Sequence, residues 1–100
     1  MISIYLDDLR QPKYNFMHIA RNYEDCIDLL ENNKVQILSL DHDLGGESKT
    51  GYDVCKYIVQ YDLWPEEIYM HSMNPVGRDN MYKLLDRYRP ESVKLYRYGL

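Results

Sequence analysis

The feature that most constrains this chain is an apolar hexamer that ends abruptly in charge: Val35-Gln36-Ile37-Leu38-Ser39-Leu40 is followed at once by Asp41-His42-Asp43. Only Gln36 and Ser39 interrupt the run, and a strand this apolar on both sides of its pleat belongs in the middle of a parallel sheet covered on both faces. Parallel neighbours cannot be joined by a tight turn, so helices must lie between the strands. The rest of the chain supplies them. Ile2, Ile4 and Leu6 alternate as a first strand running into Asp7-Asp8, and a short second strand is expected over Phe16 to Arg21. Asn22 caps a helix with Glu24 and Asp25 in its first turn and Tyr23, Cys26, Ile27 and Leu30 on one face; Asn32-Asn33 end it. Thr50 and Asp53 form a capping-box variant, with Val54, Cys55, Ile58 and Val59 on the buried side of a helix ending near Tyr61. Ile68, Met70 and Ser72 alternate as the next strand. Asn74 before Pro75 opens a third helix that presents Met81, Leu84, Leu85 and Tyr88, Pro90 stops it, and Val93, Leu95 and Tyr96 make a last strand.

The order β-β-α-β-α-β-α-β predicts an α/β fold, a three-layer αβα sandwich with helices on both faces of a five-stranded parallel sheet. One hundred residues make a single domain over residues 1–100. The composition is 45% hydrophobic, with eleven Tyr, and supplies a core. Sixteen acidic against twelve basic residues give a net charge of −4, with only a loose basic set at Arg87, Arg89, Lys94 and Arg97, which argues against binding duplex nucleic acid. No apolar run reaches the roughly 20 residues that cross a bilayer, and Met1-Ile2-Ser3-Ile4-Tyr5 lacks the character of a signal peptide, so no membrane partner and a cytoplasmic location are expected. Cys26 and Cys55, 29 positions apart, read as buried thiols on helices.

In parallel sheets of this kind, ligands sit beyond the carboxyl ends of the strands. Asp7-Asp8, Asp41-His42-Asp43 and His71-Ser72 each follow a different strand and are expected to converge on one mouth. Four carboxylates gathered there repel one another, and a divalent cation, Mg²⁺ or Mn²⁺, resolves the conflict through hard oxygen ligands from Asp7, Asp8, Asp41 and Asp43. His42 and His71 are the groups able to exchange protons at neutral pH, and either fits a general acid or base. His18 has no acidic partner in sequence and reads as structural. His71-Ser72-Met73-Asn74-Pro75-Val76-Gly77-Arg78 opens a helix whose free N–H groups favour an anion, so Ser72, Asn74 and Arg78 are expected to hold a phosphate, with Arg10 as a further contact. Leu44 to Gly51 reads as a flexible loop that acts as a flap or supplies Lys49, and Tyr52 is one of several tyrosines able to stack on a base.

At Asp7-Asp8, Asp41 and Ser72 the chain resembles the receiver domains of two-component signalling, in which the aspartate after the third strand takes up a phosphoryl group beside Mg²⁺. That resemblance implies the receiver strand order 2-1-3-4-5, here with the first and last helices missing and with Lys94 near the start, not the end, of the last strand. The runs Leu6-Asp7-Asp8-Leu9-Arg10-Gln11-Pro12, Ser39-Leu40-Asp41-His42-Asp43-Leu44-Gly45, Thr50-Gly51-Tyr52-Asp53 and His71 to Arg78 are more similar still to the cyclic-phosphate processing receiver domains. This resemblance implies hydrolysis of a cyclic phosphate. The expected function is a metal-dependent phosphoesterase that opens a cyclic phosphate on a nucleotide or nucleotide-derived ligand, by water attack or by way of Asp41 as a covalent nucleophile. The alternative is a non-catalytic phosphoacceptor or sensor. Substrate identity, choice of metal and oligomeric state stay open at this point.

Overall fold

The computed structural model describes residues 1–46 and 48–100. Its elements are β1 (Ile2–Leu6), β2 (Met17–Ala20), α1 (Tyr23–Asn32), β3 (Val35–Leu40), α2 (Gly51–Tyr61), β4 (Glu67–Met70), α3 (Pro75–Tyr88) and β5 (Lys94–Tyr96). Every neighbouring pair of strands is parallel, and the order is β2-β1-β3-β4-β5. This is the receiver-type α/β topology expected from the sequence. The helices begin at side-chain caps: Asn22 Oδ1 accepts from the Asp25 N–H at 2.8 Å, Asp53 Oδ2 from the Thr50 N–H at 2.8 Å, and Asn74 Oδ1 from the Gly77 N–H at 3.0 Å. Each bond satisfies a donor that the start of a structured segment would otherwise leave unmade.

The layering differs from expectation. Ile4, Leu6, Leu38, Leu40, Ile68 and Met70 point to one side of the sheet and form a single apolar cluster with Cys26, Ile27 and Leu30 of α1, Val54, Cys55 and Ile58 of α2, and Met81 and Leu85 of α3. All three helices therefore lie on one face, giving two layers rather than three. The handedness of crossovers explains this. The steps β2 to β3, β3 to β4 and β4 to β5 all move the same way across the sheet, and right-handed crossovers then put every helix on the same side. Only β1 to β2 steps the other way, and its connection, residues 7–16, contains no helix.

The opposite face carries the alternate residues Ser3, Tyr5, Ile37, Ser39, Tyr69 and Tyr96, which share strand register. It is covered in part by the β1–β2 connection and by the segment after β5. Tyr69 stacks on Tyr96 with centroids 4.5 Å apart, and the Met70 N–H donates to the Tyr98 carbonyl at 3.0 Å. Cys26 and Cys55 are buried, as expected, and burial pushes both thiols up, that of Cys26 to about 12, so neither is a reactive thiolate. Among the described residues no helix is long and apolar enough to cross a membrane.

Candidate functional site

The strand ladder runs on past the strands themselves and delivers the first cluster. The Asp7 N–H donates to the Ala20 carbonyl, the Asp41 N–H to that of Leu6, and the His71 N–H to that of Leu40, at 3.0 to 3.1 Å. Side chains on three adjacent strand ends are thereby fixed side by side, and one ligand atom each from Asp7, Asp41 and His71 lie within 4.8 Å of one another. Asp7, only 1% exposed, ends β1 by folding its carboxylate back: Oδ1 accepts from the N–H groups of Leu9 and Arg10 at 2.9 and 2.8 Å. Its Oδ2 meets His71 Nε2 at 3.1 Å and Arg10 Nε at 2.9 Å. Arg10 reaches on to Asp41 Oδ2 at 3.5 Å, and Arg21 donates to the Asp7 and Arg10 carbonyls, clamping the loop.

His71 is held at both nitrogens. Nδ1 lies 2.7 Å from Ser39 Oγ, Nε2 faces Asp7, and the ring stacks on Tyr5 with centroids 4.3 Å apart and planes 5° from parallel. Burial lowers the affinity of His71 for a proton and outweighs the attraction of Asp7 and Asp41. A neutral ring fits the contacts, since it can accept from the Ser39 hydroxyl and donate to Asp7. Burial also opposes ionisation of Asp7, but the N–H groups of Arg10 and Leu9, His71 and the Arg10 guanidinium together hold that carboxyl below its ordinary range. Burial opposes the charge on Arg10, but Asp7 and Asp41 outweigh it and push the guanidinium up.

A second cluster lies where the loop after β3 meets the start of α3. His42 Nδ1 meets Asp43 Oδ1 at 2.9 Å, Asn74 Nδ2 stands 3.3 Å from Asp43 Oδ2, and the Asn74 N–H donates to Ser72 Oγ at 3.1 Å. The His42 hydrogen bond, strengthened by Asn74, draws the Asp43 carboxyl below its usual range although the group is exposed. The His42 ring rests against Gly77, where a β-carbon would come 2.6 Å from Cδ2 and 2.7 Å from Nδ1. The Arg78 guanidinium donates to the Ser72 carbonyl at 3.1 Å.

Of the residues marked in the sequence, Asp7, Asp41, His71 and Arg10 form one cluster, and His42, Asp43, Ser72, Asn74 and Arg78 surround the other. Asp8 lies toward the turn at Gly45, whose φ of 68° places its α-carbon so that a β-carbon would meet Asp8 Oδ2 at 2.8 Å. The two histidines open to different grooves. His71, Ser72, Arg10 and Arg78 line a cleft of about 470 Å³ over the helix-free face, whereas His42 lines a shallower groove with Thr50, Tyr52 and Lys83 on the helical side. Tyr52 thus stands away from the His71 cleft. Lys49 sits over the Tyr23 ring at 5.1 Å, His18 is exposed on β2, and Glu47 of the expected flap lies outside the described residues. Sequence reasoning passed over Ser39 and Tyr5. The signal for Ser39 was present: a hydroxyl that interrupts a buried strand two positions before its acidic end.

The lowered groups set the acid limit of stability. His71, Asp7 and Asp53 all bind protons less readily in the folded chain than they ordinarily do. The stability they contribute is therefore complete above the unfolded values, about 6.5 for histidine and about 3.9 for aspartate. It is lost as pH falls through the folded ones. In chelator-treated protein the melting temperature is expected to decline from about pH 6.5 downward and more steeply below about pH 4. A melting temperature that stays level from pH 7 to pH 3 contradicts this.

A family model for the cyclic-phosphate processing receiver domain matches residues 2–87, a span that contains both clusters. A search of curated proteins finds no match.

Proposed function

Because this chain belongs to the cyclic-phosphate processing receiver domains, we propose that it opens a cyclic phosphate on a nucleotide-type ligand by metal-dependent hydrolysis. The observation that carries the reading is the convergence of Asp7, Asp41 and His71 at adjacent strand ends. Two carboxylates and an imidazole are a donor set for Mg²⁺ or, with its greater tolerance of nitrogen, Mn²⁺. Arg10 balances these acids through contacts at 2.9 and 3.5 Å, and its 45% exposed side chain is free to swing toward solvent when a cation enters. Reversing the tautomer of His71, so that Nδ1–H donates to Ser39, frees Nε2 as a ligand with an ordered second partner. Asp8, beside the Gly45 turn, and Asp43, paired with His42, stand outside this set. A divalent cation bound there supplies charge neutralisation at the phosphate oxygens and acidifies water.

The remaining work falls to the chain's own groups. Arg78, Ser72 and Asn74, with Arg10 once released, hold the phosphate at the start of α3. His42 lies on the helical side of the mouth, held through Nδ1 by Asp43, and reaches the phosphate by turning its ring off Gly77, with Nε2 kept for proton exchange. Water forms the new P–O bond as one ring P–O bond breaks; His42 takes the water's proton and returns one to the departing sugar oxygen.

The test is turnover of 2′,3′-cyclic nucleotides with Mg²⁺ or Mn²⁺. Ring opening is expected with either metal, to be abolished by chelation and restored by re-addition. Binding without turnover under these conditions overturns the enzyme reading in favour of a sensor. A stable acyl phosphate on Asp41 after treatment with a small phosphodonor favours the phosphoacceptor.

A further inference from the structure

The helix-free face of the sheet has a use that the phosphate chemistry does not absorb. The cleft over it is lined by His71, Arg10, Lys13 and Arg78 and by Tyr5, Tyr14 and Tyr98. Among the described residues no aspartate or glutamate side chain lines it. Arg10 is paired with Asp7 and Asp41, so Lys13 and Arg78 are the lining cations left to meet an anion. Its aromatic members are unevenly employed. Tyr5 is buried and stacked on His71, whereas Tyr14, beside Phe16 at 5.4 Å, is 44% exposed and Tyr98, set edge-on to Tyr69 and tilted on Tyr96, is 61% exposed. Exposed aromatics beside an anion site are a platform on which a planar ring can stack.

We propose that this cleft is a nucleobase slot: a nucleotide lies along the helix-free face of the sheet with its phosphate at the His71 end and its base stacked on Tyr14 and Tyr98. The inference rests on the phosphate-handling reading of the His71 end and adds the occupant of the rest of the cleft. It makes the ligand a nucleoside phosphate and not any small cyclic phosphate. Two features of the chain supply the slot. The β1–β2 connection, having no helix, leaves the face open and brings Tyr14 to its rim. The segment after β5 brings Tyr98, pinned through its carbonyl to the Met70 N–H. Tyr98 lies beyond the residues 2–87 matched by the family model, so the slot is read from this chain alone. Gly99 keeps the segment close, since a β-carbon there would stand 2.9 Å from His71 Cβ.

The experiment pairs two probes, adenosine 2′,3′-cyclic phosphate and glycerol 1,2-cyclic phosphate, which share the phosphate ring and differ in the base. Calorimetry and turnover are measured on the parent chain and on Tyr14→Ala, Tyr98→Ala, Tyr14→Phe and Tyr98→Phe. Stacking on one aromatic corresponds to roughly 5-fold in affinity or more. Each alanine variant is therefore expected to weaken the adenosine probe at least about 5-fold, with the glycerol probe unaffected and both phenylalanine variants close to the parent. Equal binding of the two probes by the parent, or alanine variants that hold the adenosine probe as well as the parent does, overturns the slot. Failure of the underlying reading looks different: the adenosine probe binds in a Tyr98-dependent way yet neither ring is opened, which leaves the slot standing without the reaction.

Discussion

Replacing His42 with alanine is expected to slow ring opening by about 10²- to 10⁴-fold while leaving the affinity for Mn²⁺ close to that of the parent chain. Replacing His71 with alanine is expected to do the reverse first, lowering Mn²⁺ affinity at least about 10-fold, with turnover recovering in part at high metal. The two imidazoles differ because their surroundings do. His42 is tied at one nitrogen only, to an exposed Asp43, and its ring packs on Gly77, so truncation leaves no buried group stranded. His71 is tied at both nitrogens, to Ser39 and to Asp7, and its burial favours the neutral form that a cation requires. His71→Gln preserves a donor toward Asp7 and separates loss of packing from loss of the imidazole. Kinetics across a metal titration, with calorimetry on both variants, decide the matter. A His42→Ala chain that keeps the parent rate removes His42 from the reaction, and a His71→Ala chain that keeps the parent Mn²⁺ affinity removes His71 from the metal set.

Gly51→Ala is expected to cost stability by about 1–3 kcal/mol and to weaken metal binding. Gly51 is buried at the first position of α2, and its N–H donates to the His42 carbonyl at 2.8 Å. A β-carbon there would overlap the Asp41 carbonyl oxygen and stand 3.1 Å from both the Asp41 carbonyl carbon and His42 Cα. All of these are backbone atoms, with no rotamer to turn aside. Relief requires moving the loop after β3, which carries Asp41 away from Asp7 and His71. Gly77→Ala provides the contrast, because its clash is with the His42 ring, a side chain able to rotate. The Gly51 variant is expected to melt about 4–8 °C lower per kcal/mol lost, whereas the Gly77 variant retains its melting temperature more nearly and loses rate. Equal melting of Gly51→Ala and the parent contradicts the packing described.

Much of this was readable in the chain because local chemistry and global placement agree. Asn22, Thr50 and Asn74 are side chains that cap helices wherever they precede a periodic apolar run, and all three do so. Asp7, Asp41 and His71 were recognisable because each follows an apolar strand, and parallel strands end on one edge. The missing second helical layer was not legible from the apolar run alone. Leu38 and Leu40 meet helices, but Ile37 and Ser39 face a loop and a tail, and both environments call for similar residue types. The two separate grooves for His42 and His71 were equally hidden, since successive residues at a strand end leave on opposite sides of the sheet and a linear list of acids and imidazoles does not record the side. Arg10 as the partner of both Asp7 and Asp41 is a matter of reach across the mouth that spacing does not encode.

His71 and Asp7 are 64 positions apart, and nothing but the assembled sheet introduces them. Neither half of the chain, however well it forms its own helices, owns the cluster. The grouping of Asp7, Asp41 and His71 belongs to the finished topology: parting β1, β3 and β4 scatters the acids and the imidazole while each helix keeps its own cap.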